Sequence, residues 1–164
     1  MKALILLLLL FYNLTYFGIH RWNGGALKQQ EIWDSGIENT GSINVFSNHI
    51  KLKVFLFTGN SKLTGNINSF SNIQKISDVV ITTNINGAGY SEYNNTRISG
   101  NISVFTDKYN MSEFHMVGYP YIIGEVKNLK NLKKLFWFYA AGCSITGSKA
   151  DLWNGGANVT TFAI

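Results

Sequence analysis

Five glycines, at positions 41, 65, 100, 124 and 147, stand in almost the same run of letters. "TGSINVF" begins at 40, "TGNINSF" at 64 and "SGNISVF" at 99, with weaker copies "IGEVKNL" at 123 and "TGSKADL" at 146. The intervals between these glycines are 24, 35, 24 and 23 residues. A recurring interval of this size marks a chain built of stacked equivalent coils, because one coil is too small to bury its own apolar edge. A second pattern keeps the same period. Apolar-x-x-apolar-x-apolar-x-x-polar runs through Leu52, Phe55, Phe57 and Asn60, then Ile76, Val79, Ile81 and Asn84. It returns at Met111, Phe114, Met116 and Tyr119, and again at Leu135, Phe138, Ala140 and Cys143. The one long interval contains "NGAGYSEYNNT", whose Gly and Asn content reads as a loop inserted over 85–97.

Each copy has the alternation of a short strand, with every second side chain pointing to one interior. The polar residue that closes each copy is suited to bond backbone groups that have left the ladder. The glycine permits a tight backbone return, and the isoleucine after it packs beneath. The stretch "LKNLKKLFWFYAAGCSITGSKADL" resembles a leucine-rich repeat of the long, Gly-containing type, L-x-x-L-x-L-x-x-N/C-x-L-x-G-x-I, in a bacterial or phage-like variant. Cys143 falls where that family has Asn or Cys. The likeness covers residues 40–164, while 20–39 fit poorly, with Glu31, Trp33 and Gly36 in awkward places. It implies a repeat solenoid, a right-handed coil with a parallel β-sheet on the concave face and irregular turns, 3-10 turns or short helices on the convex face. The whole of 1–164 then forms a single domain of about six repeats.

The opening "MKALILLLLLFYNLTYFGI" has two readings. Ile5, Leu8, Leu10 and Asn13 match the repeat, and Gly18 follows Asn13 by five residues, as Gly65 follows Asn60. The apolar core of a signal peptide is present from Ala3 to Tyr12, but bulky residues stand where a cleavage site needs small ones. Residues 1–18 are therefore read as a partial first repeat. The alternative is a signal or signal-anchor, the one setting in which this chain meets a membrane. At the other end Val159, Phe162 and Ile164 stand 24 residues after Leu135, Phe138 and Ala140, so 148–164 reads as a truncated last repeat. Neither end carries the polar cap that solenoids use, which leads us to expect further repeats or a neighbouring chain there.

Charged residues are only 14% of the chain, whereas Asn occurs 19 times, so solubility rests on amides and hydroxyls. The net charge of +5 is densest at Lys127, Lys130, Lys133 and Lys134, with no Arg–aromatic interleaving, which reads as a solvated face and not as a nucleic-acid site. A single Cys143 excludes an internal disulfide and a Cys-based zinc site, and its repeat position predicts an inert thiol. His20, His49 and His115 lack partners at metal-ligand spacing. "GCSITGSK" has Ser-Lys where a phosphate loop needs Lys-Ser or Lys-Thr. The acids are scattered, with no pair spaced for acid–base work. Neither an enzyme nor a cofactor is expected.

The residues between the inward positions face outward together: Val54, Leu56 and Thr58; Asp78, Val80 and Thr82; Glu113, His115 and Val117; Trp137, Tyr139 and Ala141. Apolar and aromatic outer patches mark binding surfaces. The expected ligand-binding set is Trp137, Tyr139, His115, Glu113, Asp78, Val80, Thr82 and Leu56. The expected function is non-enzymatic recognition of a protein or glycan, at the cell surface, on a virion or outside the cell, of the adhesin or phage receptor-binding type. The alternative is a structural segment of a larger assembly with no ligand of its own.

Overall fold

A computed structural model describes residues 31–34, 40–57, 62–82 and 97–164. Residues 1–18, nearly all of the inserted loop, Thr58, and the closing positions Asn60 and Asn84 lie outside the described residues. The alternating segments form β1 (Glu31–Asp34), β3 (Val54–Phe57), β5 (Asp78–Ile81), β7 (Glu113–Met116), β9 (Trp137–Tyr139) and β11 (Thr161–Ala163). They pair in that order as one six-stranded parallel sheet. Equivalent residues pair with one another: Phe55 with Val79, Val79 with Phe114, Phe114 with Phe138, and Phe138 with Phe162. This is a leucine-rich-repeat-like solenoid, with one strand per coil in the main sheet and short turns on the opposite side. Residues 31–34, which fit the template poorly by sequence, also join it, and Ile32 takes the register position beside Phe55.

A second sheet is absent from the sequence reading. The glycine-bearing segments are strands as well: β2 (Thr40–Ser42), β4 (Lys62–Asn66), β6 (Ile98–Asn101), β8 (Ile122–Glu125) and β10 (Ser144–Thr146) form a five-stranded parallel sheet. The glycines are therefore not simple turn residues. Here the register steps by two per coil, so that Gly41 pairs with Leu63, Gly65 with Ile98, Gly100 with Ile122 and Gly124 with Ile145. Four of these strands run straight into 3-10 turns, Ile43–Phe46, Ile67–Phe70, Ile102–Phe105 and Val126–Leu129. In the last coil a short α-helix, Lys149–Trp153, takes that place, closed by a capping box between Ser148 and Asp151.

Between the sheets lies a continuous interior. Phe55, Val79, Phe114 and Phe138 are fully buried in one column, as the repeat requires. A second column comes from the ends of the 3-10 turns, Phe46, Phe70, Phe105 and Leu129, also fully buried. Rings of the two columns interlock: Phe46 meets Phe55 and Phe55 meets Phe70 at 5.1 Å between centroids, and Phe105 meets Phe114 at 5.6 Å. Such edge and tilted contacts add to the stabilisation from burial. Ile164, expected inward beside Ala140, is exposed. Ala140 is covered by β11, to whose Ala163 carbonyl its N–H donates, and no described strand lies beyond β11.

One interior position is chemically mixed. Between the 3-10 turn and the next strand, successive coils place His49, Ile73, Lys108 and Leu132. All four are buried. Lys108 is 2% exposed, yet its Nζ reaches the Ser71 carbonyl of the preceding coil at 2.5 Å. Burial lowers its pKa against the opposing pull of Asp107. His49 sits edge-on to Phe46, and neither ring nitrogen closes a hydrogen bond. Burial lowers its pKa below the ordinary 6.5, only partly offset by the nearby Phe46 carbonyl.

At neutral pH the imidazole is thus neutral in the folded chain and mostly neutral in the unfolded one. Below pH 6.5 the unfolded chain takes up a proton that the buried ring refuses, so stability falls as the pH drops through that value. We expect His49→Leu, which matches Leu132 at the same position three coils on, to raise stability by about 1 kcal/mol, or roughly 2–4 °C in Tm. It should also flatten the acid limb between pH 7 and 5. Thermal melts across that range check this, and a lower Tm at pH 7 would contradict it.

Candidate functional site

The outer face of the six-stranded sheet carries two registered rows. One runs Val54, Asp78, Glu113, Trp137, Thr161, and the other Leu56, Val80, His115, Tyr139, Ala163. Seven of the eight expected residues thus sit on neighbouring strands of one surface, and Thr82 follows β5 directly, its N–H bonded to the Phe57 carbonyl at 2.9 Å. The degree of exposure departs from expectation. Val80, and also Val117, are only 7% exposed, so neither is an outer contact residue. Strands in such a sheet lie about 4.8 Å apart, and Val80 is flanked in register by the larger Leu56 and His115.

The face divides into two parts. On β7 and β9 the ring of His115 lies 5.6 Å from Trp137 at a 31° tilt, and 5.0 Å from Tyr139 edge-on at 76°. Burial among these rings lowers the His115 pKa, which leaves a neutral imidazole at neutral pH. Trp137 remains 37% exposed at the edge of the cluster. A neutral, packed aromatic group of this kind offers a flat surface that loses little side-chain entropy when a ligand covers it.

Beside it stand two carboxylates, Asp78 and Glu113, on adjacent strands. Asp78 is held in place by two hydroxyls: Ser112 Oγ donates to Oδ1 at 2.5 Å and Ser77 Oγ to Oδ2 at 2.6 Å. These serines were not singled out from the sequence, although both immediately precede a strand and could have been read from the period. Glu113 has its pKa raised, first by burial and then by the neighbouring charge of Asp78. The one ion pair among the described residues, Lys127 with Glu125, lies elsewhere and is exposed. No described cation therefore neutralises the pair on the sheet. The site has fixed acceptors and aromatic surface, the equipment for holding a ligand.

Other candidate chemistry is accounted for by structure. Cys143 is half-buried, its thiol donating to the Met116 carbonyl of the coil before at 3.5 Å. Burial pushes its pKa up to about 11, against a weaker opposing contact with the Tyr119 backbone. A thiol so placed stays protonated at neutral pH and bridges coils. Tyr119, the equivalent residue one coil earlier, is fully buried. Among the described residues no three His, Cys, Asp or Glu side chains converge as metal ligands, and no helix is long and apolar enough to cross a membrane.

No protein-family model and no curated protein sequence matches this chain. Among solved structures it is similar to an internalin (inlF) from Listeria monocytogenes str. 4b F2365, at 14% identity over 77% of this chain and 39% of that one, with a TM-score of 0.40. It is also similar to an internalin C2 (inlC2) from the same organism, at 10% identity over 73% of this chain and 56% of that one, with a TM-score of 0.33. The chain thus spans well under two thirds of either protein, and its architecture stands on its own strand register rather than on these likenesses.

Proposed function

We propose that the chain is a non-enzymatic recognition module that holds a protein ligand against its six-stranded sheet. The observation that carries this is the pairing of the Trp137, His115 and Tyr139 cluster with the carboxylates of Asp78 and Glu113, which no described cation pairs, on one face. Aromatic anchors beside charged acceptors suit a ligand segment that presents apolar and basic side chains. An adhesin or receptor-binding role, displayed outside the cell or on a virion, follows from that reading.

The test uses peptides selected by display against the intact chain. Binders that converge on this face should be rich in Lys or Arg together with apolar residues. Capture should fall by about 30-fold or more in a Trp137→Ala/Tyr139→Ala double variant that keeps its circular dichroism spectrum, as truncating central anchors does. Equal capture by the folded variant would contradict the proposal and favour a purely structural segment.

A further inference from the structure

The turns that lead into the sheet carry charge of the opposite sign. A shallow cleft of about 390 Å³ is lined by Lys53, Lys75, Ser77, Asn110 and Lys134, drawn from successive coils. The period explains the alignment. Lys75, Asn110 and Lys134 each stand three residues before the first residue of β5, β7 and β9, while Lys53 and Ser77 each stand one residue before β3 and β5. Lys134 Nζ donates to Asn110 Oδ1 at 2.9 Å, which ties two lining side chains of adjacent coils together. No described carboxylate pairs with any of the three lysines, since the only ion pair among the described residues is Lys127 with Glu125. The lining Ser77 also donates to Asp78 of the sheet face, whose other oxygen accepts from Ser112. The cleft therefore gathers three ammonium groups that no described carboxylate pairs.

We propose that this cleft is a second binding site, distinct from the aromatic cluster of the sheet face, for a linear anionic polysaccharide whose sulfate groups lie along the stack of coils. Adjacent coils repeat at about 4.8 Å. Lys75 and Lys134, at the same phase of the repeat, thus stand two coil spacings apart, with Lys53 on the coil before Lys75, and a linear polyanion can meet them in succession. Ammonium groups are suited to this task because they meet sulfate as point charges and impose no bidentate geometry. Nucleic acid fits less well: no aromatic side chain lines the cleft, which removes the stacking surface on which single strands depend.

The experiment is calorimetric titration of the full chain with a heparin octasaccharide, run beside a single-stranded DNA of equal charge. The wild type should bind the octasaccharide, with affinity that weakens as salt is raised. Lys53→Gln/Lys75→Gln/Lys134→Gln should lose about 10- to 100-fold, as expected for three exposed charge contacts. Lys127→Gln/Lys130→Gln/Lys133→Gln, which removes the same formal charge elsewhere, should bind within about twofold of wild type. Equal losses in the two triple variants would reduce the effect to diffuse charge and overturn the site. Absence of octasaccharide binding by the wild type, or DNA binding of equal strength that the cleft variant also loses, would overturn the polysaccharide assignment. Trp137→Ala/Tyr139→Ala should leave octasaccharide binding unchanged, which separates this site from the sheet face.

Discussion

Gly100→Ala is expected to be among the most damaging single-atom additions the chain can receive, at about 3–5 kcal/mol. Two independent effects add. The backbone at Gly100 has a φ of 129°, a conformation that residues with a Cβ avoid. A Cβ built there would also stand 2.5 Å from Asn66 Oδ1 and 2.6 Å from Ile67 Cγ1 of the preceding coil. That Asn66 oxygen is already engaged, since it accepts from the N–H of Asn68 at 2.8 Å and caps the 3-10 turn. It belongs to a column of amides in which Asn44 Oδ1 accepts from Asn66 N–H at 2.8 Å and Asn68 Oδ1 from Asn101 N–H at 3.1 Å, coil to coil, while Asn101 Oδ1 caps its own turn by accepting from Ser103 N–H at 2.8 Å. An added methyl must therefore displace a cap as well as strain the backbone. Gly156 provides the contrast, with a φ of 90° but no atom closer than Lys133 Cε at 4.0 Å. Gly156→Ala should cost only the backbone strain, about 1 kcal/mol. Urea unfolding of the two variants gives the comparison, and equal midpoints would show that the amide column does not confine Gly100.

Phe114→Ala comes next, at about 3–5 kcal/mol. Its fully buried ring stacks on Phe138 at 5.2 Å and 16° and meets Phe105 edge-on at 5.6 Å. Truncation leaves a void between two coils, and neighbouring coils are all that holds a solenoid together. The loss should appear as a lower denaturant midpoint and as a broadened, less cooperative transition, because the coils on either side become partly uncoupled. Phe162→Ala removes the same ring from the last strand, where it is half-buried and stacks on Phe138 alone among the described rings, at 5.5 Å. It should cost about half as much. A Phe114 variant no weaker than the Phe162 variant would contradict a core shared along the whole stack.

The main sheet was legible because its signal is local and redundant. Phe55, Val79, Phe114 and Phe138 recur at the same phase as the glycines, so two patterns located one column. The outer residues followed from alternation alone, and most lie where alternation put them. Exposure was not legible at Val80, because it depends on the size of Leu56 and His115 on flanking strands, which no single segment encodes. The second sheet was missed for a different reason. Strands such as "TGS" and "SIT" have three residues, contain Gly, Ser and Thr, and read as turns. Their pairing is enforced by the stacking of coils and by the amide chain through Asn44, Asn66, Asn68 and Asn101. Those asparagines stand in "SIN" at 42, "GNIN" at 65 and "GNI" at 100, where the letters alone do not separate them from the chain's many other asparagines. Lys108 and His49 were hidden because a long or aromatic polar side chain can occupy the same slot as Ile73 and Leu132. Lys108 does so by carrying its ammonium to the Ser71 carbonyl.

The central claim is that equivalent residues lie above one another, coil on coil, through the interior. Nuclear Overhauser contacts between side chains, measured on selectively labelled protein in solution, test this most directly. Val79 methyl protons should show cross-peaks to the rings of both Phe55 and Phe114, and the Phe114 ring to that of Phe138, although these residues are 24 or 35 positions apart in sequence. Their absence, with Val79 and Phe114 instead contacting only residues near them in the chain, would contradict the stacked coil and the proposed recognition face that depends on it.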